Sequence, residues 1–110
     1  MSVVTKVRGH GPEAREGDVL RVRYTGKPPS VDLPPGGPLR PVPFEFRLGA
    51  REVIAGWDEG LVGMKAGEVR ALEIPPALAY GARGREGVRP DEELFYSVEL
   101  VAILGDGHDD

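Results

Sequence analysis

The sequence has no cysteine, no long apolar run and no excess of basic residues. Without cysteine, disulfide bonds and zinc sites with thiolate ligands are excluded. No apolar run approaches the roughly 20 residues that a membrane-spanning helix needs. The formal net charge of -4 disfavours nucleic acid and anionic membranes as partners, because both attract clustered Lys and Arg. We therefore expect a cytoplasmic protein with neither a nucleic-acid nor a membrane partner.

The length of 110 residues suits one domain with a single hydrophobic core. We predict that residues 1–110 form this domain and that it is a monomer. Residues 105–110 read Gly-Asp-Gly-His-Asp-Asp and are predicted to be a disordered acidic tail. Weak metal binding by His108 and its Asp neighbours is the alternative for this tail.

A proline-rich segment interrupts the first half of the chain. Seven of the 11 prolines lie between Pro28 and Pro43, which excludes a helix or a central strand there. Too little chain precedes the segment to build a second core, so we predict a surface loop at the sheet edge rather than an interdomain linker. A polyproline ligand for another domain is a third interpretation.

Alternating apolar and polar residues predict the strands of an antiparallel sheet. The alternation is clear where Leu20, Val22 and Tyr24 share one face, with Arg21 and Arg23 on the other. Polar residues on the second face indicate a sheet with one wetted side. The predicted strands are residues 3–7, 19–25, 44–48, 69–74 and 94–102.

A helical pattern surrounds the only tryptophan of the chain. Ile54, Trp57, Leu61 and Met64 are spaced by three, four and three residues and so share one helix face. Interior glycines each cost about 0.5–1 kcal/mol relative to Ala, so this helix must be held by packing on the sheet. One short helix on an antiparallel sheet is an α+β arrangement.

Taken alone, Trp57 is most simply a core residue, because tryptophan is usually buried. Its neighbours favour a binding site instead. Val53 and Ile54 come just before it, and the glycine-rich segment 77–84 carries Tyr80 on a predicted loop. Together these residues indicate an apolar pocket without a nucleophile.

Five motifs in order resemble the FKBP-type peptidyl-prolyl isomerases, the macrolide-binding immunophilins, from about Gly17 to Leu104. The resemblance implies an antiparallel, strongly bent β-sheet wrapped around one short α-helix, and isomerase activity without a metal or cofactor. The motifs are Val22-Arg23-Tyr24-Thr25-Gly26, Pro43-Phe44-Glu45-Phe46-Arg47-Leu48-Gly49, Val53-Ile54-Ala55-Gly56-Trp57-Asp58-Glu59-Gly60, Ala79-Tyr80-Gly81-Ala82 and Ser97-Val98-Glu99-Leu100.

The chemistry of prolyl isomerisation fits such a pocket. Rotation about an X-Pro bond crosses a barrier of about 18–20 kcal/mol because the planar amide must lose its resonance. No covalent bond is broken, so an enzyme needs only to bind the twisted amide better than the planar forms. The twisted amide has a less polar carbonyl, and a dry aromatic pocket should favour it.

The resemblance also implies roles for individual residues. Trp57 is expected to form the pocket floor, with Tyr24, Phe44 and Tyr96 as walls, and Phe46 is expected to lie between core and pocket. At position 96 the family more often has Phe, so Tyr96 is a mild departure.

The entrance and rim of the pocket are assigned in the same way. Val53 and Ile54 are expected to line the entrance, with the Ile54 N–H free to bind a substrate carbonyl. The Tyr80 hydroxyl is expected to donate a hydrogen bond to the substrate backbone, and Val88 to close the rim.

The proline-rich loop departs from the family pattern. The family usually carries a Phe-Asp pair there, and an ungapped match places Pro34-Pro35 at that point. If a turn is deleted and residues are added afterwards, Val31-Asp32 takes the place of the pair and Asp32 supplies the carboxylate. Replacing the Phe by the smaller Val31 should weaken apolar ligands by roughly 1–2 kcal/mol.

The expected partners are proline-containing peptides, unfolded or folding proteins, and rapamycin-type macrolides. Only residues 81–93 separate Tyr80 from the last strand, so no inserted chaperone domain fits. A proline-peptide-binding module with little catalysis is the rival hypothesis. A hydrolase using Asp58 and Glu59 is disfavoured, because adjacent helical residues point about 100° apart.

Overall fold

The computed structural model describes residues 1–27, 43–84 and 89–105. These residues form five strands, one α-helix and one short 3₁₀-helix. In chain order the elements are β1 (Ser2–Val7), β2 (Val19–Lys27), β3 (Phe44–Arg47), α1 (Ala55–Gly60), β4 (Val69–Ile74), the 3₁₀-helix (Pro76–Leu78) and β5 (Leu94–Ile103).

The five strands form one antiparallel sheet in the order β1-β4-β5-β2-β3. Strand β5 lies at its centre, and its residues alternate between buried and exposed at the start, as a strand with one wetted face requires. Register shifts interrupt the ladder between Thr5 and Val7 and between Arg21 and Val22. The predicted α+β fold and the predicted strands are confirmed, each within two residues of its predicted ends.

Helix α1 is shorter than the apolar pattern indicates. The helix ends at Gly60, although Leu61 and Met64 are buried as the pattern requires. Gly63 adopts a φ of 86°, which no α-helix accommodates, and the Met64 N–H bonds the Leu61 carbonyl in a turn. The apolar spacing therefore describes one buried surface made by a helix and the turn that follows it.

A partly buried ion pair joins the start of β4 to the end of α1. The Arg70 Nε donates to a Glu68 carboxylate oxygen at 2.7 Å, and a terminal nitrogen of the same guanidinium donates to the carbonyls of Gly60 at 3.0 Å and Val62 at 2.8 Å. Glu68 also accepts bonds from the Thr5 hydroxyl and the Lys65 N–H. The pair thus satisfies carbonyls at the end of the helix that carries Trp57.

Two further predictions concern the chain outside the core. The proline-rich loop falls almost wholly outside the described residues, as do residues 106–110. Gly105 is predicted to begin a disordered tail, but its carbonyl accepts a 2.7 Å bond from the Val19 N–H. This bond joins Gly105 to the start of β2, and the predicted disorder of the tail stays a prediction.

No helix in the described ranges is long and apolar enough to cross a membrane. Within the same ranges, no three His, Cys, Asp or Glu side chains are grouped so that they could hold a metal ion.

Candidate functional site

Five aromatic rings from three strands and the helix meet at one place in the core. Trp57 lies at the centre and contacts all four others. Its ring centroid lies 4.9 Å from that of Tyr24, 5.2 Å from Tyr96, 5.7 Å from Phe46 and 6.5 Å from Phe44. The Tyr24 and Tyr96 rings stand nearly perpendicular to the indole, at 82° and 87°. This edge-to-face arrangement is favourable for aromatic pairs and fixes the orientation of the indole.

Strand geometry explains why these rings converge. Phe44 and Phe46 are two residues apart on β3, so they project to the same face and stack with centroids 5.8 Å apart. Strand β2 pairs with both β3 and β5 and brings Tyr24 between the phenylalanines and Tyr96. The predicted floor and walls are therefore brought together as one cluster.

The cluster is more closed than a pocket open to solvent. Trp57 is 2% exposed, and Tyr24 and Tyr96 are each 4% exposed. Trp57 is thus packed as a core residue, in agreement with the simpler interpretation of the sequence. Four of the predicted site residues are only partly buried and pack against this core: Phe44, Val53, Ile54 and Tyr80.

The Trp57 indole leaves one polar group unsatisfied. Its Nε1 is buried and finds no hydrogen-bond partner within the described parts of the chain. A buried donor left unpaired costs about 1–3 kcal/mol, so most proteins provide a partner for it. Among the described core residues, the Trp57 Nε1 is one of few buried polar atoms without a hydrogen-bond partner.

Ile54 offers a second donor at the start of the helix that carries the indole. It is the N-cap residue of α1, with φ −60° and ψ 151°, and its carbonyl accepts bonds from the N–H groups of Trp57 and Asp58. Across residues 1–27, 43–84 and 89–105, its own N–H donates no hydrogen bond. The structure therefore places a free backbone donor three residues before Trp57.

Tyr80 lies in the turn that follows the 3₁₀-helix. The turn is held by bonds from the Gly81 N–H to the Pro76 carbonyl at 2.8 Å and from the Gly84 N–H to the Tyr80 carbonyl at 3.0 Å. A further bond from the Asp91 N–H to the Gly81 carbonyl connects it to the residues before β5. The sequence predicts an irregular loop here, and the observed segment is a hydrogen-bonded turn with a half-buried tyrosine ring.

Asp58 has a role that the sequence does not reveal. The helical pattern suggests a solvated acid favoured by the helix dipole, but its carboxylate accepts hydrogen bonds from the backbone N–H groups of Gly49 and Arg51. The sequence does offer one indication of this role. The six residues 49–54 before the helix have backbone N–H groups that need hydrogen-bond acceptors.

Two predicted site residues, Asp32 and Val88, lie outside the described residues. The same holds for Val31, Pro34 and Pro35, so the alternative placements of the family's Phe-Asp pair stay open.

Similarity to known proteins agrees with this geometry. A family model described as FKBP-type peptidyl-prolyl cis-trans isomerase matches residues 11–101. The chain is 46% identical over 99 residues to FK506-binding protein 2 of Yarrowia lipolytica, covering 89% of this chain and 69% of that protein. It is 41% identical over 104 residues to the 39 kDa FK506-binding nuclear protein of Drosophila melanogaster, covering 94% of this chain and 29% of that protein.

A solved structure has the same fold. The crystal structure of a peptidyl-prolyl cis-trans isomerase from Pseudomonas syringae matches with a TM-score of 0.75 and 33% identity, covering 92% of this chain and 73% of that one. The antiparallel sheet packed on one short helix agrees with the fold of these peptidyl-prolyl isomerases. The chain belongs to the FKBP-type peptidyl-prolyl cis-trans isomerase family.

Proposed function

We propose that this protein accelerates the cis-trans rotation of X-Pro bonds in peptides and folding proteins, with the aromatic cluster around Trp57 as its site. The observation that carries the proposal is the combination of a dry aromatic cluster with an Ile54 N–H that makes no bond among the described residues and begins the helix carrying Trp57. Among the described residues there is no group of three His, Cys, Asp or Glu side chains that could hold a metal ion. Isomerisation needs neither a metal nor a nucleophile, because it breaks no covalent bond.

In the proposed mechanism, the substrate proline ring packs against Trp57 with Tyr24, Phe44 and Tyr96 around it. The Ile54 N–H holds a substrate carbonyl, and the Tyr80 hydroxyl donates to the substrate backbone. Apolar surroundings favour the twisted amide, whose carbonyl is less polar than that of the planar ground state, so the transition state is bound more tightly than the substrate. Phe46 supports the stacked Phe44 ring from the core side.

The partial burial of the surrounding residues suggests how a ligand enters. Phe44, Val53, Ile54 and Tyr80 are partly exposed, whereas Trp57 is not. A proline ring would therefore approach the indole from the side of these partly exposed residues. Val88 at the rim and Asp32 as a loop carboxylate stay predictions of the sequence.

The test is an isomerase assay with a proline-containing peptide, comparing the intact protein with Trp57→Phe and Tyr80→Phe. Trp57→Phe should reduce kcat/KM strongly, because a single ring replaces the two-ring indole of the pocket floor. Tyr80→Phe should reduce kcat/KM by about tenfold, because one hydrogen bond in the transition state is lost. Phe95→Leu is the matched control because Phe95 is an exposed aromatic of β5. An intact protein with no effect on the rate of rotation would overturn the proposal.

The rival hypothesis is a proline-peptide-binding module with little catalysis. It is motivated by the altered proline-rich segment, where the sequence lacks the family's usual Phe-Asp pair. Tight binding of the peptide without any rate enhancement would favour this rival.

Further parts of the function follow from the family. We infer that rapamycin-type macrolides bind the same aromatic cluster, because the family binds ligands of this type. A cytoplasmic location and a monomeric state remain predictions, and the family does not fix the compartment, since one relative is named as a nuclear protein. Size-exclusion chromatography with light scattering measures the oligomeric state.

A further inference from the structure

One acidic side chain connects the loop before α1 to the helix itself. The Asp58 Oδ1 accepts a hydrogen bond from the Gly49 N–H at 2.8 Å, and the Oδ2 accepts one from the Arg51 N–H at 3.0 Å. Asp58 follows Trp57 directly in the chain. Both carboxylate oxygens are thus used to hold a loop whose end, Ile54, caps the helix.

The loop held by Asp58 has an unfavourable backbone. Gly49 has a φ of 82° and Arg51 has a φ of 61°. For glycine this conformation is free of strain, but for arginine the left-handed region is disfavoured by contact between Cβ and the backbone. Such a residue persists only where the surrounding structure holds it in place. At Arg51, the bond from its N–H to Asp58 provides that restraint.

Few other contacts restrain this loop. The Glu52 carboxylate accepts a bond from the Arg47 N–H at 2.9 Å, which ties the loop to β3 but not to the helix. The outer side of the loop faces an open surface depression. Arg51, Val53, Glu16 and residues of α1 line this depression. In the part of the chain that the structure describes, the two bonds to Asp58 are the hydrogen bonds that join residues 49–53 to the helix.

The same loop ends in the two residues expected at the site entrance. Val53 and Ile54 are partly buried against the core, and the Ile54 N–H, three residues before Trp57, makes no bond among the described residues. The backbone conformation of residues 49–52 sets the direction of the Ile54 N–H. We propose that Asp58 is a positioning residue of the isomerase: its two hydrogen bonds hold the Ile54 N–H and Val53 in their binding positions before the substrate arrives.

This inference rests on the proposed function, because positioning matters only if substrate binds at Ile54. Preorganised donors stabilise a transition state without the cost of ordering them during the reaction. Asp58 itself does not touch the substrate. Its effect on catalysis passes through the loop backbone.

The chain offers a matched control for Asp58. Glu59 is the next residue, carries the same charge and is exposed, and it makes no hydrogen bond or ion pair within the described ranges. Glu59→Gln removes one negative charge at almost the same place but leaves the loop bonds intact. Asp58→Asn also removes one charge, and in addition it replaces one acceptor oxygen by an NH₂ group that cannot accept a bond from a backbone N–H.

The experiment measures kcat/KM with a proline peptide together with backbone and indole N–H signals by NMR. In Asp58→Asn we expect kcat/KM to fall by about tenfold, the equivalent of roughly one lost hydrogen bond. The amide signals of Gly49, Arg51 and Ile54 should shift or broaden, while the Trp57 indole signal stays in place. Glu59→Gln should match the unaltered protein in every measurement.

Two results would overturn the inference. One is an Asp58→Asn protein with unchanged kcat/KM. The other is a Trp57 indole signal that moves as much as the loop amides, because that would show a general loss of structure rather than a loop displaced from an intact cluster. If Asp58→Ala, a harsher change, does not fold, Asp58→Asn still decides the question.

Failure of the proposed function is recognised separately. If the intact protein does not accelerate rotation, the isomerase proposal fails whatever the variants do. Titration of the same peptide by NMR then still reports whether the Ile54 amide signal responds in the intact protein and loses that response in Asp58→Asn. A response that is equal in both proteins would remove the positioning role of Asp58.

Discussion

Gly56 lies so close to Ile74 that no larger residue fits between the helix and the sheet. A Cβ atom at position 56 would come within 2.5 Å of the Ile74 Cγ2 and within 2.9 Å of two further atoms of the same side chain. Ile74 is fully buried on β4, and its branched side chain has little rotamer freedom. The missing side chain of Gly56 therefore sets the depth at which α1, and with it Trp57, sits on the sheet.

Gly56→Ala should destabilise the protein although alanine favours helices. The gain in helix propensity is about 1 kcal/mol, whereas overpacking a well-filled core typically costs about 1–3 kcal/mol. We expect a net loss in the free energy of unfolding and a shifted Trp57 emission, measured by denaturant titration and fluorescence. Gly60→Ala should cost less, because its nearest neighbour is Leu72 Cδ2 at 3.0 Å.

An Ile74→Ala background tests the cause of that loss. With the Ile74 side chain removed, the added methyl group of Gly56→Ala meets empty space, and only the helix-propensity gain should remain. A double-mutant cycle in which Gly56→Ala costs the same in both backgrounds would contradict the proposed contact.

The strands were predictable from the sequence because side chains on a strand alternate with a period of two. Leu20, Val22 and Tyr24 show this alternation whatever their partners are. The end of α1 was harder to predict, since the apolar spacing continues to Met64 across the positive φ of Gly63. A periodic pattern records which side chains are buried, and a helix and a tight turn can bury the same set.

The aromatic members of the site were also predictable, but its supporting contacts were not. Trp57 and Tyr24 belong to motifs that stand in a fixed order along the chain. The partners of Asp58 lie seven and nine residues before it, and the Thr5 hydroxyl lies 63 residues from its partner Glu68. No spacing rule connects such positions, because the sheet and the loop must form before they become neighbours.

Ligand binding should change the emission of Trp57, which is the only tryptophan of the chain. A proline ring packed on the indole changes its contacts and its exposure to water. We expect a saturable change in intensity on addition of a proline peptide and none with a matched peptide carrying alanine in place of proline. Emission that stays constant while calorimetry shows the proline peptide to be bound would place the binding site elsewhere.

Removing one partner of the Glu68–Arg70 pair should lower the free energy of unfolding more than removing both partners. Arg70→Met leaves the Glu68 carboxylate without its cation and frees the carbonyls of Gly60 and Val62. Because the Glu68–Arg70 bond is partly buried and the Val62 bond is exposed, we expect a cost of about 1–3 kcal/mol. Adding Glu68→Gln to Arg70→Met should restore part of the free energy of unfolding, because the buried charge is removed. A double variant that loses the sum of the two single losses would show that the two side chains do not act as a pair.

Acid should weaken the protein through Glu68. Burial raises the pKa of the Glu68 carboxyl, but the hydrogen bonds from Arg70, the Lys65 N–H and Thr5, together with the Arg70 charge, lower it by more, so the pKa lies below its ordinary value of 4.5. A carboxyl whose pKa is lower in the folded state contributes stability that is complete above the unfolded pKa. That contribution is lost as the pH falls through the folded pKa.

The measurement is the free energy of unfolding from pH 7 downward for the unaltered protein and for Glu68→Gln. Above a pH of about 4.5 the unaltered protein should be more stable by a constant amount, and below it the difference should shrink as Glu68 takes up a proton. Glu73→Gln is the control, since Glu73 lies on the same strand with an exposed side chain. A difference between the unaltered protein and Glu68→Gln that stays constant at every pH would show that the Glu68 carboxylate does not favour the folded state.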